Sequence, residues 1–500
     1  MTDTQVPLTP VLPEVRALLD RNLELLIGGI SQPSSSGETF ETIDPSTEQA
    51  VATVARGTVE DVNHAVAVAR ANFESGVWSR AKPNFRERVL LRFADLAEQR
   101  QEFFAQLDSI DAGSPLADTR AAAAGLVDHF RYFAGWATKL HGMTIPVSVP
   151  GQWLNYTRRE PIGVVAAVIP WNTPIANAMW KLAAPLAAGC SVILKPAELT
   201  PLSAHAMVEL LYEAGLPDGT LTVLHGYGDV GAALAEHPDV DKIAFTGSTE
   251  VGRSIVRASA GNLKRVSLEL GGKSPAVVYN DADLSKAIPG IFNGIYFNAG
   301  QICCSSSRVI VQSGIYEEFL AKMAEYAGGL EMGPGMTETS RLGPVVSQGQ
   351  YSRVSGYLKI GESEGARSVI GGTGAVNDNE RGYFVRPTLF ADVTPDMRIF
   401  QEEIFGPVLA ASRFETEEEV LTLANATIYG LGASVWTENI GRALRTADGI
   451  KSGTVWINGH SQVDAASPFG GFKQSGYGKE LGFEVLQNYL GTKSVWVNYL

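Results

Sequence analysis

Cysteine is scarce: 500 residues contain three, Cys190, Cys303 and Cys304, and two of these are adjacent. An odd count with an adjacent pair makes no disulfide framework and suits a reducing compartment. Long apolar runs are missing as well. The most apolar stretch, residues 163–171, is far shorter than the ~20 residues a membrane-spanning helix needs. Positive charge is in deficit, with 40 Lys and Arg against 54 Asp and Glu and a net charge of −14. That balance disfavours partners recognised by phosphate neutralisation, so neither nucleic acid nor a membrane surface is expected. The first twenty residues show neither a basic segment leading into an apolar run nor an Arg-rich transit peptide, so a cytoplasmic location is expected. The seven histidines form no i, i+4 pair, Cys303-Cys304 has no C-x-x-C companion, and no metal site is expected. The G-x-S-x-G, P-loop and kinase signatures are also absent.

What is present is core-forming material. Hydrophobic residues make up 45% and charged residues 19%, a composition that excludes a disordered chain. At about 150 residues per domain there is room for roughly three domains. Glycine, at 52 residues, exceeds the usual ~7% and points to tight turns and close backbone approaches.

Residues up to about 140 read mainly as helical, with a capping box at Thr58–Asp61 and helical spacing of Val89, Leu90, Phe93 and Leu96. Residues 144–160 alternate, turn at Pro150-Gly151 and read as a hairpin. Then β-like runs at 163–170, 191–196, 221–226, 242–247 and 264–270 alternate with helical stretches at 174–188, 203–215, 230–237 and 248–260. Five strands with helical crossovers predict an α/β fold with a doubly wound, Rossmann-like parallel sheet. A second α/β region follows from 271 to about 475, and the terminal TKSVWVNYL alternates like a strand.

Polar residues gather where these strands end, the edge at which doubly wound sheets bind ligands. Asn172 ends the first strand, and its amide is suited to a developing oxyanion. Lys195 and Glu198 end the second; a carboxylate there accepts from ribose hydroxyls and repels a 2′-phosphate, although a solvated strand-end pair reads equally well. Gly247 and Ser248 open the helix after the fourth strand, where free N–H groups and the dipole attract phosphate; an ordinary N-capped helix reads the same way. Glu269 ends the fifth strand and is suited to general-base work. Cys303 and Cys304 lie on a loop after Gly300, and a thiol nucleophile there needs a base or a positive field. Residues 226–231 (GYGDVG), containing Gly228, match G-x-G-x-x-G, but after the third strand and with no acidic residue placed for a ribose. Helix-start glycines explain them better.

Taken together, PWN (170–172), KPAE (195–198), FTGSTEVG (245–252), ELGGKSP (269–275), GQICC (300–304), EEIFGP (402–407) and SPFGGFKQSGYGKELG (467–482) resemble the aldehyde dehydrogenase superfamily along nearly the whole chain. The resemblance implies NAD-dependent oxidation of an aldehyde to the acid. It casts Cys303 as nucleophile, Glu269 as base, Asn172 as oxyanion donor, and Lys181 with Glu480 as a second proton-relay pair. It places Ile169, Pro170, Trp171, Lys195, Glu198, Gly228, Gly247, Ser248, Leu270, Glu403 and Phe405 at the cofactor. It further implies an NAD-binding domain of 1–143 and 161–270, a catalytic domain of 271–482, and an oligomerisation module of 144–160 and 483–500 serving a dimer or tetramer. By family position Thr173, Asn177, Trp180, Ile302, Val463 and Phe469 line the substrate tunnel. None is basic, so neutral aliphatic or aromatic aldehydes are expected; Asp464 near the mouth keeps an aminoaldehyde open. Rival readings are a CoA-acylating relative, against which Glu269 argues, and an inactive NAD-binding protein, against which the intact Cys303, Glu269 and Asn172 argue.

Overall fold

The computed structural model describes residues 8–376 and 381–499; the first seven residues of the N-terminal segment read above for targeting lie outside them. The five expected strands are β1 (Val164–Val168), β2 (Ser191–Lys195), β3 (Leu221–Val223), β4 (Lys242–Thr246) and β5 (Arg265–Glu269). They lie parallel in the order β3-β2-β1-β4-β5. The order reverses at β1, which opens a crevice beyond the carboxyl ends of β1 and β4. Helices Pro174–Ala188, Leu202–Glu213, Gly228–Glu236 and Thr249–Ser259 fall where the sequence places them. Val164–Ala167 and Val192–Leu194 are wholly buried, as strands covered on both faces must be.

The N-terminal region corrects the sequence reading. The strands Leu25–Ile27, Ile30–Gln32, Thr39–Asp44 and Gln49–Ala55 stand between the short helix Pro13–Leu19 and the longer helices. Leu25–Ile27 has only three residues and is buried throughout, so it carries no two-residue alternation; it pairs antiparallel beside β3. The capping box forms as expected on Val59–Ser75, between Thr58 and Asp61. The helical spacing from 85 to 107 divides at Arg100 into Pro83–Gln99 and Gln101–Ala112.

The chain leaves β5 at Glu269 and enters a second sheet within a few residues. Here β6 (Pro275–Val278), β7 (Arg308–Gln312), β8 (Thr388–Ala391), β9 (Val408–Phe414), β10 (Gly432–Trp436) and β11 (Thr454–Ile457) lie parallel in the order β8-β9-β7-β6-β10-β11. Arg367–Ile370 adds an antiparallel edge beside β8. A third sheet pairs Leu490–Asn498 with Trp153–Pro161 and the latter with Thr144–Ile145, all antiparallel.

One late segment returns to the first sheet. Gly476–Tyr477 pairs antiparallel with β5, setting Gly476 opposite Glu269. Gly476 has φ +114°, and a Cβ there would collide with the Leu268 carbonyl. Only glycine fits this approach. Gly476→Ala is expected to cost about 1–3 kcal/mol through backbone strain, to lower the thermal midpoint by several degrees, and to reduce turnover more than the stability loss explains. Calorimetry beside steady-state kinetics checks this; an unchanged midpoint with full activity contradicts the account.

Candidate active site

A cleft of ≈ 420 Å³ opens at the carboxyl edge of the first sheet. Ile169, Pro170 and Trp171 line it from the end of β1, Lys195 and Glu198 from β2, and Gly247 and Ser248 from β4. Gly228 and Gly231 contribute from the helix after β3, so the glycine-rich motif borders the cleft. A Cβ at Gly231 would lie 3.7 Å from the Lys195 stem. Lys195 is buried, its Nζ donating to the Pro196 carbonyl at 3.1 Å and lying 3.8 Å from Glu198. Burial lowers its pKa, while Glu198 and Asp229 oppose that shift. The Ser248 hydroxyl accepts from Val251 N–H at 3.3 Å, so this residue does cap its helix. Leu270 packs beneath that helix, 2.7 Å from where a Gly252 Cβ would stand.

Cys303 lies on the loop after the 3₁₀ turn Phe297–Gly300, whose Asn298, Ala299 and Gly300 all have positive φ. The turn is locked from three sides. The Asn298 amide donates to the Asn172 carbonyl at 2.7 Å, and its oxygen accepts from Ser114 at 2.6 Å. Gln301 donates to the Asn298 carbonyl and accepts from Val346 N–H. Gly300 abuts the Gly406 carbonyl so closely that no Cβ fits. Asn172, buried, donates its amide to the Gln301 carbonyl at 2.8 Å, two residues before the thiol. Asn177 donates to the Thr173 hydroxyl and carbonyl and to the Asn172 amide oxygen, so these three residues hold one another.

Cys303 is half-buried, whereas Cys190 and Cys304 are buried. It packs with Trp180, Ile302, Phe469, Leu431 and Leu481 in one apolar cluster. The Trp180 and Phe469 rings are 5.7 Å apart. Val463 stands apart from this cluster on an exposed loop, 52% accessible, and Asp464 is exposed beside it. The neighbouring Cys304 thiol, burial, and the carboxylates Glu403 and Glu269 all hold the Cys303 thiol above its ordinary pKa.

Glu269 is 4% exposed and one of its oxygens has no hydrogen-bond partner. Burial, reinforced by the Glu480 charge, raises its pKa well above the carboxylate range, against the pull of Lys181 and Lys479. Lys181 and Glu480 form an ion pair, each 1% exposed. Backbone bonds between Glu480 and Phe469 at 2.8 Å join this pair to the apolar cluster. Glu403 accepts from Gly272 N–H at 2.8 Å, and burial pushes its carboxyl to about 7. Phe405, at φ +62°, meets Trp171 edge to face at 5.2 Å.

Several supporting residues escaped the sequence reading. Gln350 and Arg353 hold the 403–405 loop by its carbonyls. Lys273 is buried beside Glu403 with an unpartnered Nζ, and burial lowers it to about 7. His460 meets the Cys304 carbonyl at 3.0 Å and is kept neutral by burial, at about 4. Gln301 and Lys273 lie within the motifs GQICC and ELGGKSP, and Asn298 stands two residues before the first of these; Ser114, Gln350 and His460 carry no local signal.

A nucleotide-sized cleft on a doubly wound sheet, in a chain whose second α/β unit carries a half-buried thiol, points to a dinucleotide-binding oxidoreductase. Residues 32–495 match the aldehyde dehydrogenase family model, and the chain belongs to that family. DhaS of Bacillus subtilis (strain 168), named as an aldehyde dehydrogenase, is 48% identical over 490 residues and 98% of each chain. The structure of a Bacillus cereus aldehyde dehydrogenase in complex with NAD+ superposes with a TM-score of 0.96 at 45% identity, covering 99% of this chain and all of that one. Betaine aldehyde dehydrogenase from Staphylococcus aureus, also with NAD+, matches with a TM-score of 0.93 at 38% identity over 95% of this chain and 97% of its own.

The exposure difference among the thiols predicts that iodoacetamide labels Cys303 first. Because its pKa is raised, labelling of the ligand-free enzyme is expected to keep accelerating above pH 9. Peptide mass spectrometry checks both points; a rate that levels off near neutrality contradicts the raised pKa.

Proposed function

We propose that the enzyme oxidises neutral aliphatic or aromatic aldehydes to carboxylic acids with NAD, through a covalent adduct on Cys303. The observation that carries this reading is the apolar wall that Trp180, Ile302, Leu431, Phe469 and Leu481 build around Cys303. A substrate carboxylate buried there would lack a partner. The cleft suits NAD: Glu198 stands at a strand end for ribose hydroxyls, and the Thr249–Ser259 helix presents its N-terminus to a pyrophosphate. When bound, NAD accepts the hydride released from the aldehyde carbon.

The chain's own residues do the rest. Glu269 takes the proton of the Cys303 thiol, which its surroundings hold above its ordinary pKa; the thiolate then attacks the carbonyl carbon, and negative charge develops on oxygen. Asn172 Nδ2 exchanges its Gln301 carbonyl partner for that oxyanion, assisted by the Cys303 N–H. Loss of hydride leaves a thioester on Cys303. Glu269 accepts a proton from a water that attacks the thioester carbon, and the C–S bond breaks to return the thiolate. Burial raises the proton affinity of Glu269, which suits a base working near neutral pH. Lys181 and Glu480 carry protons behind it, and Glu403 with Phe405 border the nicotinamide end.

A charged aminoaldehyde is the second reading, favoured by the betaine aldehyde dehydrogenase likeness and by Asp464. The three-stranded sheet serves self-association into a dimer or tetramer: Leu154, Trp496 and Val497 stand exposed on its two long strands. Among the described residues no helix is long and apolar enough to cross a membrane, and with three free thiols a cytoplasmic enzyme is proposed.

NADH absorbance with a panel of neutral, carboxylate-bearing and quaternary-ammonium aldehydes tests the reading. Neutral aldehydes are expected to give the highest kcat/KM, Cys303→Ala to abolish turnover, and Asn172→Ala to cost about 10²–10³ in kcat. A preference for the ammonium aldehyde selects the second reading; turnover by Cys303→Ala overturns the mechanism. Glu198→Gln is expected to raise kcat/KM with NADP by about tenfold, the equivalent of ~1.4 kcal/mol less repulsion of a 2′-phosphate.

A further inference from the structure

The helix Pro174–Ala188 carries one polar side chain beside the thiol that the steps above leave unused. Residues three and four apart share a helix face, so Thr173 at the N-cap, Asn177, Trp180 and Lys181 stand on one side of it. On that side Trp180 packs in the cluster around Cys303, and Lys181 pairs with Glu480. Asn177 therefore sits on the face that meets the site, between the oxyanion residue Asn172 and the apolar wall. It is buried, and a buried amide costs free energy unless its hydrogen bonds are made.

Only half of that amide is satisfied. Nδ2 donates to the Thr173 carbonyl at 3.0 Å and to the Thr173 hydroxyl oxygen at 2.8 Å, and lies 3.4 Å from Asn172 Oδ1. A backbone carbonyl accepts and never donates, which fixes the end of the amide that is nitrogen. Oδ1 then points away from the helix start. Among the described residues no group donates to it, and unlike one oxygen each of Glu269 and Glu480 it is not sealed from the surface. An acceptor is thus left open beside the thiol. Thr173 complements it. Half-buried, its hydroxyl oxygen accepts from Asn177, which leaves its hydrogen to donate elsewhere. A donor and an acceptor therefore adjoin Asn172, whose amide meets the aldehyde oxygen. An alcohol both donates and accepts through a single oxygen and matches such a pair.

We propose that Asn177, together with Thr173, is a specificity-determining residue that selects aldehydes carrying a hydroxyl group close to the carbonyl carbon. The inference rests on the reading that neutral aldehydes react at Cys303 and narrows it to one class of them. The substrate hydroxyl donates to Asn177 Oδ1 and accepts from the Thr173 hydroxyl, and the rest of the molecule lies against the wall of Trp180, Ile302 and Phe469. A carboxylate has no hydrogen to give Oδ1, and an ammonium group has no lone pair for Thr173. A plain alkyl aldehyde displaces water from Oδ1 and leaves it unpaired, so the site discriminates against the analogue that lacks the hydroxyl.

The test compares kcat/KM for lactaldehyde and propanal, which differ by a single hydroxyl, in the full-length enzyme with NAD, each concentration expressed as unhydrated aldehyde. Wild type is expected to favour lactaldehyde by about tenfold, the worth of roughly one net hydrogen bond. Asn177→Leu is expected to bring the ratio to unity or below. Thr173→Val is expected to lower it in part, and Thr173→Ser, which keeps the hydroxyl, to restore it. The ratio is the readout because a loosened Asn172 slows both aldehydes alike and cancels. Should Asn177→Leu not fold, the two Thr173 variants read the same ratio. A wild-type ratio near unity, or one that Asn177→Leu or the Thr173 variants leave unchanged, overturns the proposal. Preference for a carboxylate-bearing or quaternary-ammonium aldehyde over both probes overturns the reading beneath, whereas ready turnover of both probes at equal kcat/KM removes only the role of Asn177.

Discussion

The Asn298 side chain joins three stretches of chain that are far apart in sequence. Its oxygen takes the Ser114 hydroxyl, its amide takes the Asn172 carbonyl, and its own backbone bends into the left-handed turn that presents Cys303. Left-handed conformation at consecutive non-glycine residues is unfavourable and persists only where the surroundings over-determine it. Here two side-chain bonds and the Gly300–Gly406 approach do so. The thiol, the amide at the end of β1 and the loop after Phe405 are thereby held in one arrangement before any ligand arrives.

Electrostatics in the interior run against ordinary ionisation. Burial raises Glu269 and Glu403 and lowers Lys195, Lys242 and Lys273, and the Cys304 thiol together with burial raises Cys303. Each such group costs free energy if charged alone, which is why carboxylates and lysines occur there together. A site built this way keeps its acids and bases close to proton exchange, and a cation arriving with a ligand would shift several of them at once.

The parallel sheet was legible because β1, β2, β4 and β5 are apolar runs bounded by polar or glycine-rich ends, separated by helices of helical periodicity. The four N-terminal strands were not. Leu25–Ile27 is three residues long and buried throughout, too short to distinguish from a helix by pattern. Cys303, Glu269, Asn172, Lys195 and Glu198 stood out as polar residues at strand ends or on one glycine loop, and the structure groups them at the edges of the two sheets. Ser114 and His460 gave no local signal because their roles arise only from tertiary approach, as does the join of Gly476 to Glu269. Val463, expected at the tunnel by family position, stands on an exposed loop outside the apolar cluster.

The pairing of Gly476 with β5 also orders events during synthesis. The strand carrying Glu269 emerges long before the segment that completes its edge, and the ribosome adds about 5–20 residues per second. For much of that interval the first sheet has an open edge beside the residue suited to hydrolysis. An open edge is a template for pairing with other chains. The edge of the cofactor sheet beside Glu269 is therefore completed only by the last stretch of the chain to be made.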